Sequence, residues 1–279
     1  MNTSPLISAE ELKKISCENL IILDARAGKE AHTDYLNNHI KGARFIDLEQ
    51  HLAQVPEDAA NGGRHPLPDL YDFAKTLSEL GISEQSHVVI YDDKSGANAA
   101  ARAWWMLKAF GIEKVQILDG GFQEAEKSGL EMSSREEHIH QTVVRIPEEW
   151  KLPTANIQEV ENSIAENSAT VIDVRDAYRY RGDSEPIDLV AGHIPGAINI
   201  PFSENLDENG LFLSQEQLRN KYSELLNNQP EKLIIQCGSG VTACHTIFAL
   251  HYAGFEMPKL YVGSWSEWSR RDKAIATEA

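Results

Sequence analysis

Apolar residues gather along the chain in short runs that close on polar or glycine-bearing turns, and the runs come in two matching sets. Residues 20–26 (LIILDAR) and 169–175 (ATVIDVR) each read as a short buried strand ending in Asp-x-Arg, at Asp24 and Arg26 and again at Asp173 and Arg175. NHIKGA at 38–43 follows the first run, and GHIPGA at 192–197 follows the second. Residues 88–92 (VVIYD) lead into a helical stretch through Trp104, Trp105 and Leu107 to Phe110 and Gly111, then a strand at 115–118 and the turn DGGF at 119–122. Residues 233–237 (LIIQC) repeat that order, through Phe248 and Leu250 to Ala253 and Gly254, then 260–262 and the turn Gly263, Ser264, Trp265. Four matched elements in one order, spaced by about half the chain, mean an internal duplication whose period is too long for a solenoid. Short apolar strands alternating with helical patterns predict an α/β fold of two similar tandem domains, each a mostly parallel sheet with helices on both faces. The domains are expected at 1–135 and 154–279, joined by a charged, weakly patterned linker at 136–153.

Composition fits that division. The 279 residues suit two domains of ordinary size, and 42% apolar with 25% charged residues is the balance of a soluble globular chain with ample core. A formal charge of −17 repels nucleic acid and anionic membrane surfaces, so neither is an expected partner, and an anionic ligand has to be met by local arginines. No basic-apolar signal pattern opens the chain, and no stretch reaches the ~18 apolar residues of a membrane helix, so the expected location is the cytoplasm. Cys17, Cys237 and Cys244 are an odd set without CxxC spacing, which argues against both a disulfide framework and a structural zinc site. His245 and His251 have no companions to complete a metal site, so no metal is expected.

The two copies diverge at one informative place. The strand that ends in Tyr91 and Asp92 in the first half ends in Gln236 and Cys237 in the second, so only the second half carries a nucleophile. Its strand feeds a turn, Gly238, Ser239 and Gly240, that opens into a helix expected to begin near Val241. Backbone N–H groups and the positive end of that helix then converge on the sulfur, which stabilises an anion. A persulfide, whose outer sulfur is anionic, needs the same cradle, and glycines let the backbone curl that tightly. A small buried cysteine at a strand end, followed by a structural glycine turn, would have the same composition. Position favours chemistry, because strand–turn–helix junctions are where open α/β sheets bind ligands. Cys244, two helical turns further on, reads as a buried helical residue rather than a resolving thiol.

The string CGSGVT at 237–242 is followed by Ala243, Cys244 and His245, and the chain also carries RAWWML at 102–107, DGGF at 119–122, GHIPGA at 192–197 and GSW at 263–265. Together with Asp92 standing where the second copy has Cys237, these resemble the rhodanese superfamily of two-domain sulfurtransferases over nearly the whole chain. The cysteine loop is similar to that of 3-mercaptopyruvate sulfurtransferases. The resemblance implies two rhodanese-like domains, the first catalytically silent, an active site in the cleft between them and sulfur carried as a persulfide on Cys237. It implies a small-molecule sulfur donor, a thiol, thioredoxin-like or cyanide acceptor, and no metal or organic cofactor. Thiosulfate-type members carry basic residues after the cysteine; Gly238 and Ser239 remove that charge, which points to 3-mercaptopyruvate, with thiosulfate as the alternative donor. Cleaving a C–S bond leaves an enolate that needs a proton, and the resemblance assigns the relay to Ser239, His65 and Glu49, the last at a position where the family more often has Asp. It makes Gly238, Gly240, Val241 and Thr242 the sulfur-binding loop and has Arg179 hold the anionic donor. A second donor-binding arginine is usual after a Glu-Pro pair, but Ile187 follows Glu185 and Pro186.

Without the resemblance, Ser239 fills a tight turn, His65 sits in a Gly/Pro-rich surface segment, Glu49 is a solvated charge and Arg179 makes a surface ion pair. Arg26 and Arg175, which follow strand-end aspartates in both copies, read as structural braces, and Trp104, Trp105, Trp265 and Trp268 as packing residues. Rival functions make different demands. A phosphatase loop requires Cys-x5-Arg, and Ala243 stands where the arginine would be. A Cys/His hydrolase would form no persulfide, and a sulfur-binding module would react without turning over.

Overall fold

The computed structural model describes residues 4–226 and 232–278. Its first half contains β1 (Leu6–Ile7), α1 (Ala9–Leu12), β2 (Leu20–Asp24), α2 (Ala31–Asn37), β3 (His39–Ile40) and β4 (Ala43–Phe45). There follow α3 (Leu70–Glu79), β5 (His87–Tyr91), α4 (Ala99–Phe110), β6 (Lys114–Leu118), α5 (Gly121–Lys127) and β7 (Met132–Ser133). The second half runs β8 (Thr154–Ala155), α6 (Ile157–Glu166), β9 (Thr170–Asp173), α7 (Ala177–Arg181), β10 (Ile198–Asn199), a 3-10 turn at Phe202–Asn205 and α8 (Gln215–Leu225). It closes with β11 (Leu233–Gln236), α9 (Ala243–Tyr252), β12 (Lys259–Tyr261) and α10 (Ser264–Trp268). Five strands pair in parallel in the order β1-β6-β5-β2-β4, and five more in the order β8-β12-β11-β9-β10. Matched copy for copy the two orders are the same, so the duplication is one of topology as well as of sequence.

Each sheet is covered on both faces. In β5, Val89 and Tyr91 join a core cluster with Ala9 and Leu12 of α1 and Ala125 of α5. Val88 and Ile90 point the other way and are equally buried, on the side where α4 packs. The same division holds in the second sheet: Ile234 and Val171 lie with Val160 of α6 and with Trp265 and Trp268 of α10. Strands buried on both faces explain why the runs are continuous rather than alternating. Helix ends follow local chemistry. Asn156 accepts the Glu159 N–H at 2.9 Å to start α6, Ser214 and Gln217 form a capping box on α8, and α4 stops at Gly111, whose φ is 116°.

The chain packs into two compact units. The first comprises the described chain up to Ala53, then Pro68–Lys151 and Glu208–Phe212; the second comprises Gln54–Leu67, Leu152–Asp207 and Leu213 onward. The outermost residues of the ranges expected from the sequence, 1–3 and 279, lie outside the described residues. Within 136–153 there is no regular structure before Lys151, yet the segment is anchored to the first unit. Thr142 N–H donates to Ser78 O at 3.2 Å, Arg145 N–H to Glu84 Oε1 at 2.7 Å and Lys151 N–H to Ala109 O at 2.7 Å. Trp150 packs against Phe73, Trp105 and Phe110. The helix after the cysteine loop starts at Ala243, two residues later than the pattern suggests. Val241 O and Thr242 O are first taken up by a tight i to i+3 turn, from Cys244 N–H and His245 N–H, both at 3.0 Å.

Candidate active site

In the second sheet the adjacent strands β9 and β11 send the chain in opposite directions, β9 towards β10 and β11 towards β12. Such a switch opens a crevice at the carboxyl ends of the two strands. Cys237 follows β11 there, while Arg175 and α7, which carries Arg179, follow β9. Cys237 is 3% exposed. Its N–H donates to Ser264 Oγ at 3.2 Å, its carbonyl accepts from Trp265 N–H at 3.0 Å, and the Gly238 carbonyl accepts from Ser266 N–H at 2.8 Å. The loop carbonyls are thereby turned onto α10. The loop needs glycine at 240: its φ is +72°, and a Cβ there would stand 2.5 Å from Val262 O. Cys244 Sγ donates back to Gly240 O at 3.3 Å from a fully buried place on α9, which accounts for Cys244 as a packing residue.

The first copy displays what this kind of loop can hold. Asp92, at the end of β5, is fully buried, and its Oδ1 accepts the N–H groups of Lys94 and Gly96 at 2.8 Å each. Oδ2 accepts those of Asn98 and Ala100 at 3.1 Å each. Burial pushes the carboxyl's pKa up, and the four N–H donors pull against that. These four partners are all donors, which suits an anion. Cys237 stands at the matching strand end after β11, with a turn at 238–242 leading into α9.

One wall of the cysteine's surroundings comes from far away in sequence, from the segment Gln54–Leu67 that packs in the second unit. Its Gly62 and Gly63 have φ of +92° and +85°, and a Cβ on Gly63 would lie 2.4 Å from Gly263 O, so the segment lies flush on the turn before α10. Gly62 N–H donates to Glu267 Oε1 at 3.3 Å and Arg64 N–H to Ser266 Oγ at 3.1 Å. The half-buried His65 then brings Nδ1 to 2.8 Å from Ser239 Oγ. His65 and Ser239 are thus joined next to Cys237. Glu49 is exposed and belongs to the first unit, where its N–H donates to Asp47 Oδ1 at 2.8 Å.

Beside Gly238 lies a cluster of guanidinium groups and carboxylates, to which Arg64 of the same segment contributes. Arg179 donates from Nε to both oxygens of Glu185 at 3.1 Å and from Nη2 to Oε1 at 2.7 Å. Burial pulls the Arg179 pKa down, but the bonds and charge of Glu185, with Asp188 and Cys237 nearby, leave it raised. Glu185 is itself held below its ordinary range: burial would raise it, and Arg179 together with the N–H groups of Asp188 and Ile187 outweighs that. The side chain of Asp188 is fully buried; Oδ1 takes Nη1 of Arg64 and, at 3.1 Å, Nη1 of Arg270, while Oδ2 lies 3.5 Å from Arg179 Nη2. Arg175 lies deeper, on Asp173 at 2.6 Å, Glu185 at 3.2 Å and Gly192 O at 2.7 Å, with its guanidinium 4.7 Å from the Trp265 ring centre. Arg26 repeats this in the first unit, on Asp24 at 2.7 Å and Asn38 O at 2.7 Å, 4.2 Å from the Phe122 ring centre. Each arginine braces its own unit. Trp265 is fully buried and donates to Val190 O at 2.9 Å, so it is a packing residue as well.

Sequence reasoning passed over Arg64, Glu185, Asp188 and Arg270. The available signal was Asp188 itself, a lone charge between Ile187 and the apolar Leu189 and Val190. Among the described residues no group of three or more His, Cys, Asp or Glu could hold a metal ion, and no helix is long and apolar enough to cross a membrane.

Comparison with known proteins finds relatives over nearly the whole chain. The Rhodanese-like domain profile matches twice, at residues 8–128 and 156–271. A "Probable 3-mercaptopyruvate sulfurtransferase" of Pseudomonas aeruginosa is 41% identical over 280 residues, covering 96% of each chain. A thiosulfate sulfurtransferase of Gallus gallus is 34% identical over 244 residues, covering 87% of this chain and 82% of its own. The crystal structure of the Escherichia coli 3-mercaptopyruvate sulfotransferase superposes with a TM-score of 0.75 at 30% identity, over 95% of this chain and 100% of the other.

Proposed function

Since the chain belongs to the rhodanese family, we propose that it is a sulfurtransferase that moves sulfur from 3-mercaptopyruvate to a thiol or cyanide acceptor through a persulfide on Cys237. The observation that carries the donor reading is the 2.8 Å contact between Ser239 Oγ and His65 Nδ1 in the turn that follows the nucleophile. The Cys237 thiolate attacks the donor's sulfur, an S–S bond forms, and the C–S bond breaks with its electron pair on carbon. The enolate of pyruvate then takes up the proton given up by the donor's thiol, so one pyruvate and one persulfide anion result. Ser239 and His65 hand over this proton, with Glu49 as the proposed acid behind them. N–H groups from Gly238, Gly240, Val241 and Thr242 steady the outer sulfur, and Arg179 holds the donor. Cyanide or a thiol, including that of a thioredoxin-like protein in the cytoplasm, then takes this sulfur and returns the thiolate. Thiosulfate is the second reading: the guanidinium cluster suits a dianion, and a thiosulfate sulfurtransferase is among the relatives.

The test is to compare kcat/KM for 3-mercaptopyruvate and thiosulfate with cyanide as acceptor, and to weigh the intact protein after donor alone. Wild type is expected to prefer 3-mercaptopyruvate and to gain the mass of one sulfur atom. Cys237→Ser is expected to do neither, and a Cys237→Ser protein that still makes thiocyanate would overturn the mechanism.

A further inference from the structure

We infer that Arg64 is a donor-binding residue: its guanidinium and that of Arg179 form a clamp for the carboxylate of a 2-oxo acid donor, spaced by the buried carboxylate of Asp188. The inference rests on the 3-mercaptopyruvate reading and deepens it. Both groups reach the residue next to the nucleophile, since a Cβ built on Gly238 would lie 3.2 Å from Arg64 Nη2 and 3.5 Å from Arg179 Nη2. Asp188 is shared by Arg64, Arg179 and Arg270, and its Oδ2 has no hydrogen-bond partner although it is buried. A single carboxylate cannot occupy three guanidinium groups with five N–H donors each. Counting the brace beneath, the ion pairs of Arg64, Arg175, Arg179 and Arg270 among the described residues are with three carboxylates, Asp173, Glu185 and Asp188.

That surplus cation sits in a protein whose formal charge is −17, and a partly desolvated cation calls for an anion. In the first copy, among the described residues, the loop meets its own acidic side chain with four N–H groups and no guanidinium, so the guanidinium groups beside Cys237 are left for a group from outside, and the donor's carboxylate is the candidate. Arg64 is also the more open of the two, with 24% of its side chain exposed against 10% for Arg179. Its backbone is pinned through Ser266, and its neighbour His65 meets Ser239. Two consecutive residues therefore set the donor's carboxylate and the hydroxyl at its reacting end in one register. The turn Glu185, Pro186 and Ile187 brings a carboxylate and an exposed apolar side chain, so it supplies no second cation.

Arg64→Ala and Arg64→Lys separate this role from a structural one. Three quantities are read: KM and kcat with 3-mercaptopyruvate, inhibition by pyruvate as a 2-oxo acid without sulfur, and cyanolysis of the preformed persulfide. In Arg64→Ala, KM and the pyruvate inhibition constant should both rise by about tenfold or more, with kcat within about threefold and persulfide cyanolysis unchanged. Arg64→Lys keeps the charge on Asp188 but loses the fork, so it should fall between the two and carries the test if Arg64→Ala folds poorly. Pyruvate inhibiting wild type and both variants alike would overturn the clamp while leaving the donor reading intact. A wild type that ignores both pyruvate and 3-mercaptopyruvate would overturn both.

Discussion

Ser239 stands in a tight turn, and His65 Nδ1 at 2.8 Å gives its hydroxyl a hydrogen-bond partner. Displacing sulfite from thiosulfate needs no proton, whereas releasing pyruvate does. Ser239→Ala should therefore lower kcat with 3-mercaptopyruvate by about 10²-fold or more and leave the thiosulfate rate within a few fold. Steady-state kinetics with both donors check this, and equal losses with both would make Ser239 structural. Glu185 belongs to the same scale. Its pKa lies below the ordinary 4.5, so its ionised form contributes stability fully above that value, and the contribution is lost as pH falls through the lower folded value. Glu185→Gln should cost about 3 kcal/mol at pH 7, and urea titrations across pH should show the gap to wild type closing only below about pH 4.5. Cys237 stood out in the sequence because a nucleophile ends one strand where an acid, Asp92, ends its match. Arg64 did not, because its partner Asp188 is 124 positions away and no local pattern links them.

Between the residue and the domain, turns carry the precision of the site. Gly240 and Gly129 share a φ of +72°, but a Cβ on Gly240 would meet Val262 O at 2.5 Å whereas one on Gly129 meets nothing within 4 Å. Alanine at 129 should cost about 1 kcal/mol, the price of left-handed backbone alone. Alanine at 240 should cost at least about 2 kcal/mol more, because backbone rather than a flexible side chain is in the way, and should abolish persulfide formation. Thermal melts of the two variants, with donor-loaded mass measured on each, separate strain from close approach. The longer strands could be read from sequence because they are continuous apolar runs. Strands such as β1, β8 and β10 could not, since two residues carry no periodicity. Residues 136–153 read as a tether for a related reason: their anchoring comes from single backbone bonds and from Trp150, which no repeat reveals.

For the molecule as a whole, duplication left two copies of one topology with an acid, Asp92, and a cysteine, Cys237, at matching strand ends. Asp92 puts a carboxyl group in the turn that matches the cysteine loop of the second copy, and four N–H donors hold it. The first copy thus fills its cradle with its own side chain, while the second faces a group that must come and go. The charge balance has the same division of labour. The chain is acidic overall, yet near Cys237 the four guanidinium groups of Arg64, Arg175, Arg179 and Arg270 are paired with three carboxylates. If Asp92 is purely structural, stability and activity should separate. Asp92→Asn keeps the size but offers the N–H donors a neutral oxygen and turns an amide donor towards them, so it should cost about 2–4 kcal/mol. Denaturant unfolding followed by tryptophan fluorescence should record that loss, while kcat/KM per folded molecule stays within twofold of wild type. A larger fall in kcat/KM of the folded Asp92→Asn protein would mean that the first copy takes part in the chemistry, and the reading of one armed and one silent loop would fall.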